Sequence, residues 1–107
     1  MNKERRATPR LQIYVEVRWE SQLSQHQGTI SDIGPRGCFI LTQGEVRIGE
    51  LVIVEIDLPA GEPLTVMGTV VNHAPEIGFG VNFEEQSVLD EEIIADLREH
   101  QLSTHRR

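Results

Sequence analysis

The sequence predicts an all-β protein: a small antiparallel barrel of six strands with one α-helix at its C-terminal end. Three observations predict this class. Apolar and polar residues alternate with a period of two through most of the chain up to residue 84, glycines and prolines separate the alternating runs, and the apolar period then lengthens to that of a helix. A chain of 107 residues fits one domain with a single core. Closure into a barrel is favoured because it removes the exposed edges of short strands.

The first strand has the clearest pattern. Between residues 11 and 20, apolar side chains occupy every odd position and end at Trp19, which is typical of a strand with one buried face. After a polar stretch, the sequence predicts a second strand over 29–33 and a third over 38–42. We expect these two strands to pair antiparallel, because the glycine- and proline-rich turn 34–37 joins them.

The remaining strands follow the same rules. The fourth is predicted over 51–58, where all even-numbered residues are apolar, and the cluster of prolines and glycine in 59–63 ends it. The fifth is predicted over 64–73 and the sixth over 78–83, with Pro75 between them. These runs complete a set of six strands.

The apolar stripe within residues 89–97 has helical spacing, so the sequence predicts a terminal helix over 85–102. Ser87 is the expected N-cap, with Asp90 three residues after it. The predicted organisation along the chain is a flexible basic arm, the barrel, the helix and a tail, with the bounds 1–10, 11–84, 85–102 and 103–107.

Charge and composition exclude several functions. The formal net charge of −7 argues against binding a nucleic-acid polymer, which needs basic residues against phosphates and, for single strands, a basic groove with stacking aromatics. The longest nearly apolar run, 51–58, is far shorter than the ~20 residues that span a bilayer. One cysteine cannot close an internal disulfide, and no apolar leader opens the chain. We therefore expect a cytoplasmic protein without membrane insertion.

The nucleophiles, histidines and carboxylates predict no catalytic centre. Cys38 lies within an apolar strand run and is interpreted as a core residue. The four histidines lack Cys, Asp or Glu partners at metal-ligand spacing, so no metal site is expected. Glu91 and Glu92 lie on different faces of the predicted helix, which is typical of a solvated surface. The sequence thus favours a binding protein over an enzyme.

One candidate binding segment is the basic arm. It carries Arg5, Arg6 and Arg10, and Pro9 favours an extended backbone before it. Guanidinium groups bind anions through forked hydrogen bonds, and they also donate to the O6 and N7 acceptors of guanine. The alternative is a basic N-terminus without a ligand, which is common.

A second candidate segment is the turn that joins the second and third strands. An ionised Asp32 only accepts hydrogen bonds, which suits the N1 and N2 donors of a guanine edge. Gly34 and Gly37 allow a ligand to approach the backbone closely, and Arg36 adds a positive charge. The alternative is a β-turn in which Asp32 bonds only its own backbone.

Together, the two segments resemble the PilZ domain family, whose pattern is RxxxR followed by D/NxSxxG. The sequence has Arg6 and Arg10 at the first motif, and Asp32, Gly34 and Gly37 at the second. The ordered pair of motifs is more specific than either motif alone. The resemblance covers about residues 4–84, since the runs GTVV and GFGVNF look like the fifth and sixth strands of the family.

The resemblance implies a six-stranded PilZ-type β-barrel that acts as a receptor for cyclic di-GMP, a bacterial second messenger with two guanines and two phosphates. It implies no enzyme activity, no metal and no cofactor, and its expected partners are the nucleotide and a protein effector. The predicted ligand-binding residues are Arg5, Arg6, Arg10, Asp32, Gly34, Arg36, Gly37 and Gly78.

Gly34 departs from the family pattern, which has serine there. A hydrogen bond to a charged group contributes about 1.5 to 3 kcal/mol, so its loss weakens binding roughly 10-fold to 150-fold unless Arg5 or Arg36 compensates. Two hypotheses therefore stay open. The chain is either an adaptor whose arm becomes ordered on binding cyclic di-GMP and then signals to an effector, or a protein-interaction module of the same fold that has lost ligand binding.

Overall fold

A computed structural model describes residues 11–58 and 61–105 of the chain. Within these residues, six antiparallel strands form one closed barrel in the order β1-β2-β3-β6-β5-β4, and a helix follows the last strand. This confirms the predicted fold class. The strands are β1 (Leu11–Glu20), β2 (Gln25–Gly34), β3 (Gly37–Leu41), β4 (Leu51–Ile56), β5 (Leu64–Ala74) and β6 (Gly78–Phe83).

Strand β2 differs most from its prediction, because it begins at Gln25 and not at residue 29. Its first residues are polar and exposed, so they carry no apolar alternation, but they pair in register with the end of β1, for example His26 with Trp19. At its other end Gly34 pairs with Gly37, which leaves a turn of two residues before β3. The predicted antiparallel pairing of β2 and β3 is confirmed.

The core fills the barrel with the inward-facing residues of all six strands. Trp19 is its largest buried side chain; the ring of Phe79 meets it edge-on, with 4.9 Å between centroids. The indole Nε1–H donates to the buried Oγ1 of Thr42 at 3.0 Å, so the polar group of Trp19 is satisfied inside the core. Cys38 is buried, which confirms the interpretation of this residue as core.

The terminal helix α1 (Glu91–His105) begins later than predicted, and the predicted N-cap is wrong. A short 3₁₀ turn over Glu85–Ser87 precedes it, and there Ser87 Oγ accepts the backbone N–H of Met67 at 2.9 Å. The cap is Asp90, whose Oδ1 accepts the N–H of Ile93 at 3.1 Å. Leu97 is fully buried, because α1 packs against β1.

Candidate ligand-binding cleft

An open cleft of about 950 Å³ lies on the outer wall of the barrel. Residues at the start of β1, in the second half of β2, in β3, β5 and β6, and in the β2–β3 turn line it. Its volume is at the upper end of the range for small-molecule sites. The cleft is therefore large enough for a nucleotide ligand.

A single row of paired residues crosses the floor of this cleft. Gln12 pairs with Asp32, Asp32 with Phe39, Phe39 with Gly80, and Gly80 with Asn72. All five residues line the cleft. Asp32 and Asn72 are three strands apart along this row, which follows the curved wall of the closed barrel. The carboxylate of Asp32 and the side-chain amide of Asn72 thus line the cleft at different places on its floor.

Irregular pairing next to this row explains how Asp32 comes to face outward. Ser31 is an extra residue in β2 relative to β3, and Val71 is an extra residue in β5 relative to β6. With strict alternation, Asp32 would share the inward face of Ile30. The bulge at Ser31 shifts the phase, so Ile30 and Ile33 are both fully buried and Asp32 lies on the cleft. Such bulges commonly re-aim side chains at binding sites.

The end of β6 and the segment that precedes α1 hold the β2–β3 turn at one end of the cleft. The carbonyl of Pro35 accepts the N–H of Leu89 at 2.8 Å, and the carbonyl of Arg36 accepts the N–H of Phe83 at 2.8 Å. Gly37 follows, where a Cβ would collide with the carbonyl oxygen of Val81. The exposed side chain of Arg36 thus projects from a turn whose backbone is fixed by hydrogen bonds to other segments.

Three of the predicted ligand-binding residues, Asp32, Arg36 and Gly37, line the cleft together. Gly34 is buried and pairs with Gly37, so it lies beside the cleft and outside its lining. Gly78 lies at the far end of β6, where it is also buried and outside the lining. The structure therefore brings the turn residues to one place and leaves Gly78 apart from them.

The arginines of the arm, Arg5, Arg6 and Arg10, lie outside the described residues. The described chain begins at Leu11 and Gln12, and both residues line the cleft. Because Arg10 is bonded directly to Leu11, the arm is attached at the wall of the cleft.

Gly78 has a packing role that predicts the effect of replacing it. A Cβ at this position would collide with the carbonyl oxygen of Ile40, which belongs to the backbone of the neighbouring strand and cannot rotate away. We expect Gly78→Ala to lower the free energy of unfolding by about 1 to 3 kcal/mol, as overpacking of a core does. Urea denaturation followed by circular dichroism measures this change. An unchanged midpoint would contradict the close approach of β3 and β6.

Arg18 is a second exposed cation, but carboxylates on another part of the barrel wall engage it. Its Nε donates to Glu55 at 3.0 Å and one terminal nitrogen donates to Asp57 at 3.1 Å. The hydrogen bonds to Asp57 and Glu55 raise the pKa of the guanidinium above its usual value. Arg18 does not line the cleft, whereas Arg36 does.

The described residues, 11–58 and 61–105, contain neither a metal-binding cluster nor a membrane-spanning helix. These residues contain no group of three or more His, Cys, Asp or Glu side chains placed to hold a metal ion. They also form no helix with the length and apolar character needed to cross a bilayer.

Sequence reasoning missed Phe39, Asn72 and Gly80 on the cleft floor. The signal for Asn72 was present in the predicted fifth strand, where Val66 and Val70 define the inward face and Asn72 would continue it. A polar amide at a position that strict alternation turns inward indicates a bulge. The bulge at Val71 indeed places Asn72 on the exterior, paired with Gly80.

Comparison with known proteins agrees with this geometry. The family model of the PilZ domain matches residues 4–99. The comparison with curated protein sequences gave no match. Among solved structures, PlzA of Borreliella burgdorferi in complex with c-di-GMP is similar with a TM-score of 0.57 and 11% identity, over 84% of this chain and 33% of that chain. MotI/DgrA, the Bacillus subtilis inhibitor of motility, is similar with a TM-score of 0.63 and 17% identity, over 98% of this chain and 55% of that one.

At these identities the two structures show a shared fold, and the present chain spans about a third of one and about half of the other. The family model is the stronger finding, because it covers the basic arm, the barrel and most of the helix in one match. The chain belongs to the PilZ domain family.

Proposed function

We propose that this chain is a cyclic di-GMP receptor that binds the dinucleotide in the cleft and passes the signal to a protein effector. One observation carries the proposal. The cleft is lined by Leu11 and Gln12, which directly follow the basic arm in sequence, and by Asp32, Arg36 and Gly37, which supports a site shared by the two motifs of the family. In support, the similar PlzA structure is a complex with c-di-GMP.

The chemistry of the ligand matches these side chains. Cyclic di-GMP is a dianion, and each guanine presents N1 and N2 donors beside O6 and N7 acceptors. Asp32 accepts from the donor edge, while Arg6 and Arg10 donate to phosphates and to the acceptor edge. Gly37 keeps the turn next to the ligand free of a side chain. Arg36, and Arg5 in the arm, add positive charge close to the phosphates.

The signalling step in this proposal is ordering of the arm. Arginines that meet two phosphates fix the segment 1–10 against the barrel, and a flexible segment becomes a defined surface. An effector then recognises that surface. MotI/DgrA, whose structure is similar, is an inhibitor of motility, and this is consistent with a regulatory role for a protein of this fold.

Titration calorimetry with purified protein tests the proposal. We expect saturable heat with cyclic di-GMP and much weaker binding of cyclic di-AMP, because adenine lacks the N1 and N2 donors that Asp32 accepts. Absence of heat up to about 100 μM cyclic di-GMP, which excludes a free energy of binding better than roughly −5.5 kcal/mol, would contradict it.

The glycine at position 34 favours a second candidate, an interaction module of the same fold that does not bind the nucleotide. In that case the barrel wall or the acidic face of α1 binds a protein partner independently of ligand. A pull-down whose partners do not change when cyclic di-GMP is added, together with calorimetry that shows no binding, would favour this candidate over the receptor.

The variant Gly34→Ser restores the residue of the family motif. We expect it to bind cyclic di-GMP as tightly as the wild type or more tightly, by up to roughly 10-fold to 150-fold if the hydroxyl gains a full hydrogen bond to a charged group. The dissociation constant from calorimetry measures the effect. Weaker binding by the serine variant would show that the turn is not arranged as proposed.

A further inference from the structure

The side chain of Asn72 has a fixed orientation above strand β6. The bulge at Val71 brings Asn72 opposite Gly80, and there its Oδ1 accepts the backbone N–H of Gly80 at 3.1 Å. A backbone N–H requires an acceptor, so the carboxamide oxygen must face the strand. The Nδ2 group is the other end of the same amide, and none of the described residues accepts a hydrogen bond from it.

Gly80 makes this orientation possible. A Cβ at position 80 would lie 2.8 Å from Oδ1 and 2.9 Å from Nδ2 of Asn72, which is closer than van der Waals contact allows. Any other residue at this position would therefore push the amide away from β6. Gly80 and Asn72 both line the cleft, and Gly80 allows the amide of Asn72 to pack directly against β6.

We propose that Asn72 is a further ligand-binding residue, whose Nδ2 group donates a hydrogen bond to the O6 or N7 acceptor of a guanine. This inference rests on the proposed receptor function. Asp32 and Asn72 both line the cleft and lie in the same row of paired residues, so the two side chains contact different parts of a ligand that lies along this row. Asp32 accepts from the donor edge of one guanine, and Asn72 donates to the acceptor edge of the other.

The variant Asn72→Asp tests the inference in the full chain. A carboxylate oxygen still accepts the N–H of Gly80, so the fold is kept, but the second polar atom of the side chain changes from a donor to an acceptor. We expect the dissociation constant for cyclic di-GMP to increase by at least about 10-fold in calorimetry, since a hydrogen bond is lost and a repulsive contact replaces it. Gln43→Glu is the matched control, because it adds the same charge at an exposed residue outside the cleft. We expect it to bind within about twofold of the wild type.

Gly80→Ala provides a second variant that leaves Asn72 in the sequence. Its methyl group displaces the amide, so we expect binding several-fold weaker than that of the wild type, while circular dichroism shows a folded barrel. If the wild type binds cyclic di-GMP and both folded variants bind within twofold of it, the role of Asn72 is refuted and the receptor function stands. If the wild type itself gives no binding, the receptor function fails and the role of Asn72 fails with it.

Discussion

Replacement of either Arg6 or Arg10 by alanine is expected to abolish cyclic di-GMP binding at ligand concentrations up to about 100 μM. Each guanidinium contributes charge-assisted hydrogen bonds, and the loss of one such bond lowers affinity roughly 10-fold to 150-fold. Both arginines donate more than one bond to the dianion in the proposed complex. Titration calorimetry on each purified variant measures the loss.

Arg47→Ala is the matched control for these variants. Arg47 is an exposed arginine between β3 and β4 and does not line the cleft, so the change removes the same charge at a distance. We expect its affinity to stay within about threefold of the wild type at physiological ionic strength. If Arg6→Ala or Arg10→Ala also stayed within threefold, the arm would not be part of the site.

Trp19→Ala is expected to lower the free energy of unfolding by about 3 to 5 kcal/mol, the usual cost of truncating a buried aromatic residue. The side chain is only 1% exposed and packs against Phe79 and His26, and its loss leaves a cavity inside a closed barrel that collapses poorly. Trp19 is the single tryptophan. Unfolding in urea is therefore followed by far-ultraviolet circular dichroism, not by fluorescence.

Leu23→Ala is the control for the core prediction, because Leu23 is also a large apolar residue but 68% exposed. A change of less than about 0.5 kcal/mol is expected there. A comparable small effect at Trp19 would mean that the indole does not fill the barrel as described.

Local patterning was sufficient to predict most of the barrel. The period of two in β1 identified the inward residues of the strand, and all of them from Ile13 to Trp19 are buried. The start of β2 was missed because residues 25–27 are polar and exposed to solvent, so they show no apolar alternation. The helix start was missed because Ser87 bonds across to Met67, a tertiary contact that sequence spacing does not show.

Only part of the candidate site could be predicted from the sequence. Asp32 and Gly37 lie close in sequence on either side of one short turn, so their spacing was visible along the chain. Asn72 and Gly80 come from strands that follow much later, and their position opposite Asp32 depends on the register of four strands and on two bulges. The register between strands that are far apart in sequence depends on how their apolar faces match, and the pattern of one segment alone does not show this.

The most direct test of the account is a crystal structure of the chain with cyclic di-GMP. It should show the dinucleotide in the cleft, one guanine edge within hydrogen-bond distance of Asp32, and the side chains of Arg6 and Arg10 closing over the ligand. A complex with the nucleotide bound elsewhere on the barrel, and with those arginines in bulk solvent, would contradict it.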